Sequence, residues 1–214
     1  MSRIIIFGNA GSGKGTLCTE IIKHINIIAV SAGDCLREEV KKNNSRSQQI
    51  KEIIDQGKLV SDELIIDILS DKINDKTQNY IFDGFPRNIQ QAIKLDEVLK
   101  NNNDKIDAII YLKIDEDKLL ERVLGRRVCP NCNSNYHITY IPPIQNGICD
   151  KCGNKLIIRK DDNEKILKDR IDIFNNETKL LLPYYKEKNI LHEIDASLEL
   201  DEKFEIFKNI YDKL

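Results

Sequence analysis

The 214-residue sequence lacks any long uninterrupted apolar run. The early run that ends at Phe7 gives way at once to glycines, short of a signal-peptide core or a membrane span. A cytosolic protein with no membrane partner is expected. Strong charge of either sign is also missing: 33 Lys and Arg stand against 35 Asp and Glu, a net −2. This excludes a generally basic binder of nucleic acid or membrane surfaces, though not a local basic cluster. Histidine is scarce, with His24, His137 and His192 scattered, so no acid–base pair for proton transfer is evident. No internal repeat is present. What remains is a globular composition, 41% hydrophobic and 32% charged, long enough for one domain with insertions or two small ones.

The chain is organised around Ile4-Ile5-Ile6-Phe7-Gly8-Asn9-Ala10-Gly11-Ser12-Gly13-Lys14-Gly15-Thr16. Ile4 to Phe7 has the pattern of a strand buried on both faces, and Thr16 to His24 fits a helix. Between them Gly8, Gly11 and Gly13 let backbone N–H groups fold around a polyanion, with Lys14 and the helix dipole adding positive charge. The spacing matches the Walker A pattern except that Gly15 stands where Ser or Thr is usual, and the hydroxyl comes one later, on Thr16. A Mg²⁺ ion is therefore expected to depend more on phosphates and water than on a loop hydroxyl.

Six cysteines without an export signal point to metal or free thiols rather than disulfides. Cys129, Cys132, Cys149 and Cys152 form two C-x2-C pairs sixteen residues apart, the spacing of a closed four-thiolate structural Zn²⁺ site. The competing reading is a zinc ribbon for nucleic acid, with Tyr136, His137 and Tyr140 available for stacking. Residues 126–163 lack the dense basic stripe this requires. Cys18 and Cys35 are expected as small, partly buried apolar residues.

Further along, the pattern predicts strands at 25–30, 80–83, 108–114 and 190–194. Ser31 to Asp34 reads as a turn and helix start, and helices are expected at 36–42, 47–56, 61–69, 89–100 and 115–125, with a long one over 163–182 and another at the C-terminus. The polar helices between 31 and 60 are expected to cover little core. Strands alternating with helices argue for a parallel sheet. The third strand ends in Asp83, a candidate Mg²⁺ carboxylate at the level of the phosphate loop, with helix cap as the plainer alternative. Arg37, Arg87, Arg122, Arg126, Arg159 and Arg170 lie near element ends, where guanidinium groups suit several phosphates at once.

With these motifs in place, the chain resembles the adenylate kinases almost end to end. The motifs that carry the resemblance are Gly8-x-x-Gly11-x-Gly13-Lys14-Gly15-Thr16, Ser31-Ala32-Gly33-Asp34 with Leu36-Arg37, Gly57-Lys58-Leu59-Val60, Asp83-Gly84-Phe85-Pro86-Arg87, Gly125-Arg126-Arg127 and Arg159-Lys160-Asp161-Asp162. The resemblance implies a three-layer α/β/α P-loop fold with a five-stranded parallel sheet. Its parts would be a core of 1–30, 61–125 and 164–214, a small helical AMP-binding lobe at 31–60 and a β-rich, zinc-binding lid at 126–163, as in a subset of bacterial-type members. It implies that ATP contacts Gly11, Ser12, Gly13, Lys14, Gly15, Thr16, Arg126, Asn135, Tyr136 and Leu198. AMP would contact Ala32, Arg37, Lys58, Leu59, Val60, Gly84, Phe85, Pro86, Arg87, Gln91, Arg159 and Arg170, with Gln91 reading adenine. Lys14, Asp83, Arg87, Arg122, Arg126, Arg159 and Arg170 would serve the transferring phosphoryl group.

The activity implied is reversible transfer between MgATP and AMP by a cytoplasmic monomer, with Mg²⁺ and structural Zn²⁺ as cofactors and nucleotides as partners. A P-loop kinase for another nucleoside monophosphate is the alternative. Two positions depart from the common pattern: Ala10 where proline is usual and Ala32 where threonine is common. A slightly less preorganised loop and a weaker AMP contact are expected from them.

Overall fold

Arg3–Gly8 forms β1, whose side chains alternate between two cores. Ile5 and Phe7 pack with Val30, Phe82 and Ile109 on one face, while Ile4 and Ile6 pack with Ile81, Ile110 and Leu112 on the other. Burial on both sides explains the unbroken apolar run. The computed structural model describes all residues except 43, 57, 59, 71, 74 and 76.

After β1 come α1 (Lys14–His24), β2 (Ile28–Ser31), α2 (Ala32–Lys41), α3 (Ser45–Asp55), α4 (Asp62–Ser70), β3 (Tyr80–Asp83), α5 (Ile89–Asn101), β4 (Ala108–Lys113) and α6 (Asp117–Leu124). Next are β5 (Arg126–Val128), β6 (Asn135–His137), α7 (Glu164–Asn176), a 3-10 turn (Thr178–Leu180), α8 (Leu181–Glu187), β7 (Leu191–Asp195) and α9 (Leu200–Tyr211). Five strands make one parallel sheet in the order β2-β3-β1-β4-β7. Residues from α1 and α9 fill the core on one face, and residues from α2, α3, α4, α5 and α8 fill it on the other. The result is a three-layer α/β/α fold with β1 at its centre. Ile6 and Ser31 both pair in register with Asp83, so the ends of β1, β2 and β3 share one level. Ligands of open parallel sheets sit beyond these carboxyl ends.

Three expectations change. The second strand begins at Ile28, not Ile25, because Ile25 caps α1 by donating its N–H to Ile21 O. The helix over 36–42 runs on from the start expected at Ser31–Asp34: α2 begins at Ala32, where the Ser31 hydroxyl accepts from the N–H of Asp34. The 31–60 segment is not marginal to the core: Cys35, Leu36, Ile50 and Val60 belong to the same buried cluster as the sheet. Its many charges lie on the outward face and masked that stripe. Finally, the single helix expected over 163–182 breaks at Glu177 (φ −121°, ψ −61°), after which the 3-10 turn leads into α8. The Thr178 hydroxyl at that break donates to Arg87 O at 2.8 Å, a tertiary bond that sequence periodicity does not register.

Among the described residues no helix is long and apolar enough to cross a membrane.

Candidate active site

β1 leads into a loop that only glycine can close. Gly11 and Gly13 have φ of 86° and 91°, and a Cβ on Gly8 would lie 2.5 Å from Ser12 Oγ and 2.9 Å from Leu112 O. Gly13 is the N-cap of α1 and no side chain caps that helix, which leaves its first N–H groups for an anion. Lys14 Nζ donates to Gly8 O at 2.6 Å and to Asn9 O at 2.9 Å. Burial brings the Lys14 pKa down from 10.5 to about 8, with the nearby Asp83 charge opposing the shift. The same burial pushes the Asp83 carboxyl up, and Lys14 pulls it back. At Gly15, a Cβ would already touch Asp83 Oδ2 and Asn135 Nδ2, each at 3.7 Å. A side chain longer than methyl would enter the space between Asp83 and the lid, which gives a physical reason for glycine there. Ser12 stands apart from the other loop residues. Its side chain is fully buried, its N–H is spent on Asn9 O at 3.1 Å, and it does not line the cleft.

Two cavities of ≈ 370 Å³ each meet beyond the sheet. The first is lined by Gly11, Gly13, Lys14, Gly15, Thr16, Asp83, Pro86, Arg122, Arg126, Asn135, Tyr136 and Leu198. The second is lined by Ala32, Lys58, Val60, Phe85 and Gln91. Leu59, expected beside them, lies outside the described residues. Asp34, Arg37, Gly84, Arg87, Arg159 and Arg170 line both cavities, so a guanidinium cluster occupies the junction.

That cluster is electrostatically crowded. Burial lowers the Arg87 pKa, and the Arg170 charge adds to the effect. Burial lowers the Arg159 pKa from its ordinary value to about 10, and the cations of Arg126 and Arg37 contribute. Two neighbouring acids offset part of the repulsion. Arg126 Nε donates to Asp162 Oδ2 at 2.8 Å, and this pairing outweighs desolvation so that the Arg126 pKa rises. Arg170 pairs with Asp161, whose carboxyl is held below its ordinary range by that charge even though burial pushes the other way. Arg37 binds Asp34 at 2.6 Å, and Arg87 Nε donates to Gly84 O at 2.9 Å.

Arg122 does not join this group, contrary to expectation. Its Nη1 donates to Ala196 O at 3.1 Å, and its guanidinium lies 5.6 Å from the Tyr140 ring centroid, near the buried Lys203 at the other end of the first cavity. As the last-turn residue of the short α6, it projects toward the loop after β7. Tyr136 is a second surprise. It lines the cavity, but its hydroxyl accepts from Asp150 N–H at 2.9 Å and lies 3.5 Å from Cys149 Sγ. The hydroxyl end belongs to the lid interior.

In the lid, β5 and β6 pair antiparallel, and the remaining β structure among the described residues is isolated bridges such as Val128 to Ile157. The two C-x2-C turns repeat one design. Asn133 and Gly153 have φ of 58° and 73°, and they donate to Cys129 O at 3.0 Å and to Cys149 O at 2.8 Å. The four Sγ atoms lie within 4.8 Å of one another, with Cys129–Cys152 at 3.3 Å and Cys132–Cys149 at 3.5 Å. Four thiolates about 2.3 Å from one ion would stand roughly 3.8 Å apart, so the donor set fits tetrahedral zinc. At the lid's root the His137 ring occupies the place of a Gly125 side chain: a Cβ there would be 2.1 Å from Nε2.

The family model described as "Adenylate kinase" matches residues 6–190. The chain is 40% identical over 202 residues to the adenylate kinase of Methanocella arvoryzae, covering 94% of each. It is 41% identical over 191 residues to that of Caldicellulosiruptor bescii, covering 88% of this chain and 89% of the relative. With the Clostridium botulinum adenylate kinase it shares 40% over 210 residues, 97% of each. The chain belongs to the adenylate kinase family. Its chemistry is that of a nucleoside monophosphate kinase.

Several residues at the site carried no distinct sequence signal. Asp161 and Asp162 stand in a recognisable motif, but their role as partners of Arg170 and Arg126 depends on the lid folding back. Asp62 binds Gln91 and Asn88 across 26 or more positions; in sequence it reads only as part of a helix start, and among 35 acids nothing marks it as their partner. The buried Lys203, which donates to Ala196 O at 3.2 Å, sits on an otherwise ordinary amphipathic helix.

Proposed function

We propose that this enzyme transfers the γ-phosphoryl group of MgATP reversibly to AMP, giving two ADP, with ATP in the first cavity and AMP in the second. The observation that carries this reading is the pair of nucleotide-sized cavities sharing Asp34, Arg37, Arg87, Arg159 and Arg170. An AMP phosphate oxygen forms the new bond to the γ-phosphorus as the bond to the β–γ bridging oxygen breaks. The acceptor is already anionic, so no proton need be removed. Lys14 and the loop N–H groups hold the donor phosphates. Arg87, Arg126, Arg159 and Arg170 balance the charge spread over the transferring group, in a cleft that excludes water when the lid closes. Residues 126–163 act as that lid, 31–60 as the AMP lobe, and 1–30, 61–125 and 164–214 as the core.

Asp83 offers the oxygen donors a hard cation takes, so Mg²⁺ would be held by Asp83, directly or through water, and by the phosphates. Bound there, it neutralises charge on the β- and γ-oxygens. Cys129, Cys132, Cys149 and Cys152 would hold zinc, which would tie the two turns together so that Arg126 and Arg159 are carried on one unit. Adenine nucleotide homeostasis in the cytosol, as a monomer, is the setting we assign, and six unpaired thiols favour such a reducing compartment.

The test is ADP formation from MgATP with AMP, GMP, CMP and UMP compared at equal concentration. AMP is expected to be preferred by at least about tenfold, because a site that hydrogen-bonds one base edge leaves polar groups unpaired with another. Preference for any other monophosphate overturns the assignment. For zinc, protein purified without added metal is expected to hold about one ion per chain, as one four-thiolate site requires. Cys149→Ser should lose the ion and raise the KM for MgATP. A metal-free protein with a protease-resistant lid would remove the structural role.

A further inference from the structure

Gln91 is 3% exposed, and both ends of its amide are held. Oε1 accepts the Arg87 backbone N–H at 2.7 Å, and Nε2 donates to Asp62 Oδ1 at 2.8 Å. The two partners admit one orientation only. A backbone N–H can only donate and a carboxylate only accept, so turning the amide over would set NH2 against N–H and oxygen against carboxylate. Asp62 is itself fixed. Its Oδ1 also accepts from Asn88 Nδ2 at 3.1 Å, and Asn88 Oδ1 caps α5 by accepting the Gln91 N–H at 2.8 Å. Arg87 is fixed from its other side, since its carbonyl accepts from Thr178 Oγ1. The chain thus surrounds one side-chain amide with bonds from α4, α5 and the turn before α8.

Each atom of that amide keeps one further valence. Nε2 has a second N–H and Oε1 a second lone pair, and Gln91 lines the second cavity. A base edge placed there meets a donor and an acceptor in a set order. Adenine offers an amino donor at position 6 and an acceptor at N1. Hypoxanthine and guanine offer a carbonyl acceptor at position 6 and an N–H donor at position 1, the reverse order. An unrestrained glutamine satisfies either by rotating its amide half a turn.

We propose that Asp62 is a positioning residue for acceptor selectivity: by pinning Nε2 of Gln91 it prevents the amide from turning over, and so excludes 6-oxopurine monophosphates from the second cavity. This rests on the reading of that cavity as the monophosphate site. Asp62 touches no substrate, and its effect passes through Gln91. An asparagine at 62 can offer Gln91 either oxygen or NH2, which removes the constraint with little change in shape.

The experiment compares wild type, Asp62→Asn and Gln91→Ala in the full-length enzyme, with kcat/KM measured for AMP, IMP and GMP at saturating MgATP. For Asp62→Asn the AMP-to-IMP ratio of kcat/KM is expected to fall by about tenfold, through a rise in KM for AMP and a fall for IMP. The KM for MgATP and the kcat with AMP should stay within about twofold, as an acceptor-side effect on binding requires. The ratio does not depend on the active fraction, so partial unfolding cannot imitate the effect. Asp62→Glu, which keeps the carboxylate acceptor, is expected to recover part of the selectivity. An unchanged ratio in Asp62→Asn, with a lowered ratio in Gln91→Ala, overturns the lock but leaves base reading by Gln91 intact. An unchanged ratio in Gln91→Ala overturns both.

Discussion

Replacing Lys14 with methionine is expected to lower kcat/KM for MgATP by at least about a thousandfold, because it removes the cation that meets the transferring phosphates in a water-poor site. The fold should not suffer. The Lys14 pKa is lowered by burial from 10.5 to about 8, so the charged form is less favourable in the folded chain than in the unfolded one. That penalty is fully present below pH 8 and fades as pH rises toward 10.5. Methionine of similar length escapes it but leaves Gly8 O and Asn9 O without the Lys14 donor, so the two effects oppose and the melting temperature should change little. The same shift predicts the wild-type pH profile. Free enzyme loses the Lys14 proton above about pH 8, so kcat/KM for MgATP should fall on the alkaline side. The kcat profile should break later, since bound phosphates favour the ammonium. Steady-state kinetics from pH 6.5 to 10 on both proteins, with calorimetry, checks this. Near-normal turnover in Lys14→Met would end the proposed mechanism.

Arg159→Met is expected to lower kcat/KM for AMP by roughly a hundred- to a thousandfold, the scale on which arginines act in phosphoryl transfer. Arg159 lines both cavities, and its one side-chain hydrogen bond among the described residues is to Asn135 Oδ1 at 3.3 Å. Desolvation and the charges of Arg126 and Arg37 lower its pKa to about 10, so at neutral pH its cation opposes folding. Removal should therefore leave stability equal or higher while activity collapses, the signature of a group kept for function. Arg159→Lys keeps the charge without the planar fork and should recover only part of the rate. A loss of melting temperature with activity within threefold would show that Arg159 serves the lid's architecture instead.

Much of the site was legible because its chemistry is local. The phosphate loop is contiguous, and Gly8, Gly11 and Gly13 are required by backbone angles and close approaches within a few residues. The four cysteines announce themselves by spacing, and each turn closes through a bond four residues long, such as Gly153 N–H to Cys149 O. Elements were legible where periodicity was strong, as in β1 and α5. The break at Glu177 was not, because Thr178 is drawn to Arg87 O, a residue 91 positions away. The value of Cys35, Leu36 and Ile50 to the core was hidden for a similar reason: their helices are polar overall, and only the sheet they meet reveals the apolar stripe. The contacts of Arg122 with Ala196 O and the Tyr140 ring were not legible because sequence shows a guanidinium near an element end, not the direction it takes from a short helix.

The sequence by itself determined the parallel α/β class, the glycine loop and the four clustered thiols, since each depends on residue types at short, fixed intervals along one strand, loop or turn. Only the tertiary structure decided which arginines gather at the junction of the two cavities, which acids balance them, and that Asp62 and the Arg87 N–H hold the Gln91 amide. Those relations join residues tens of positions apart. Their distances are set by how the lid, α4 and α5 pack around the sheet, a geometry that composition and spacing do not encode.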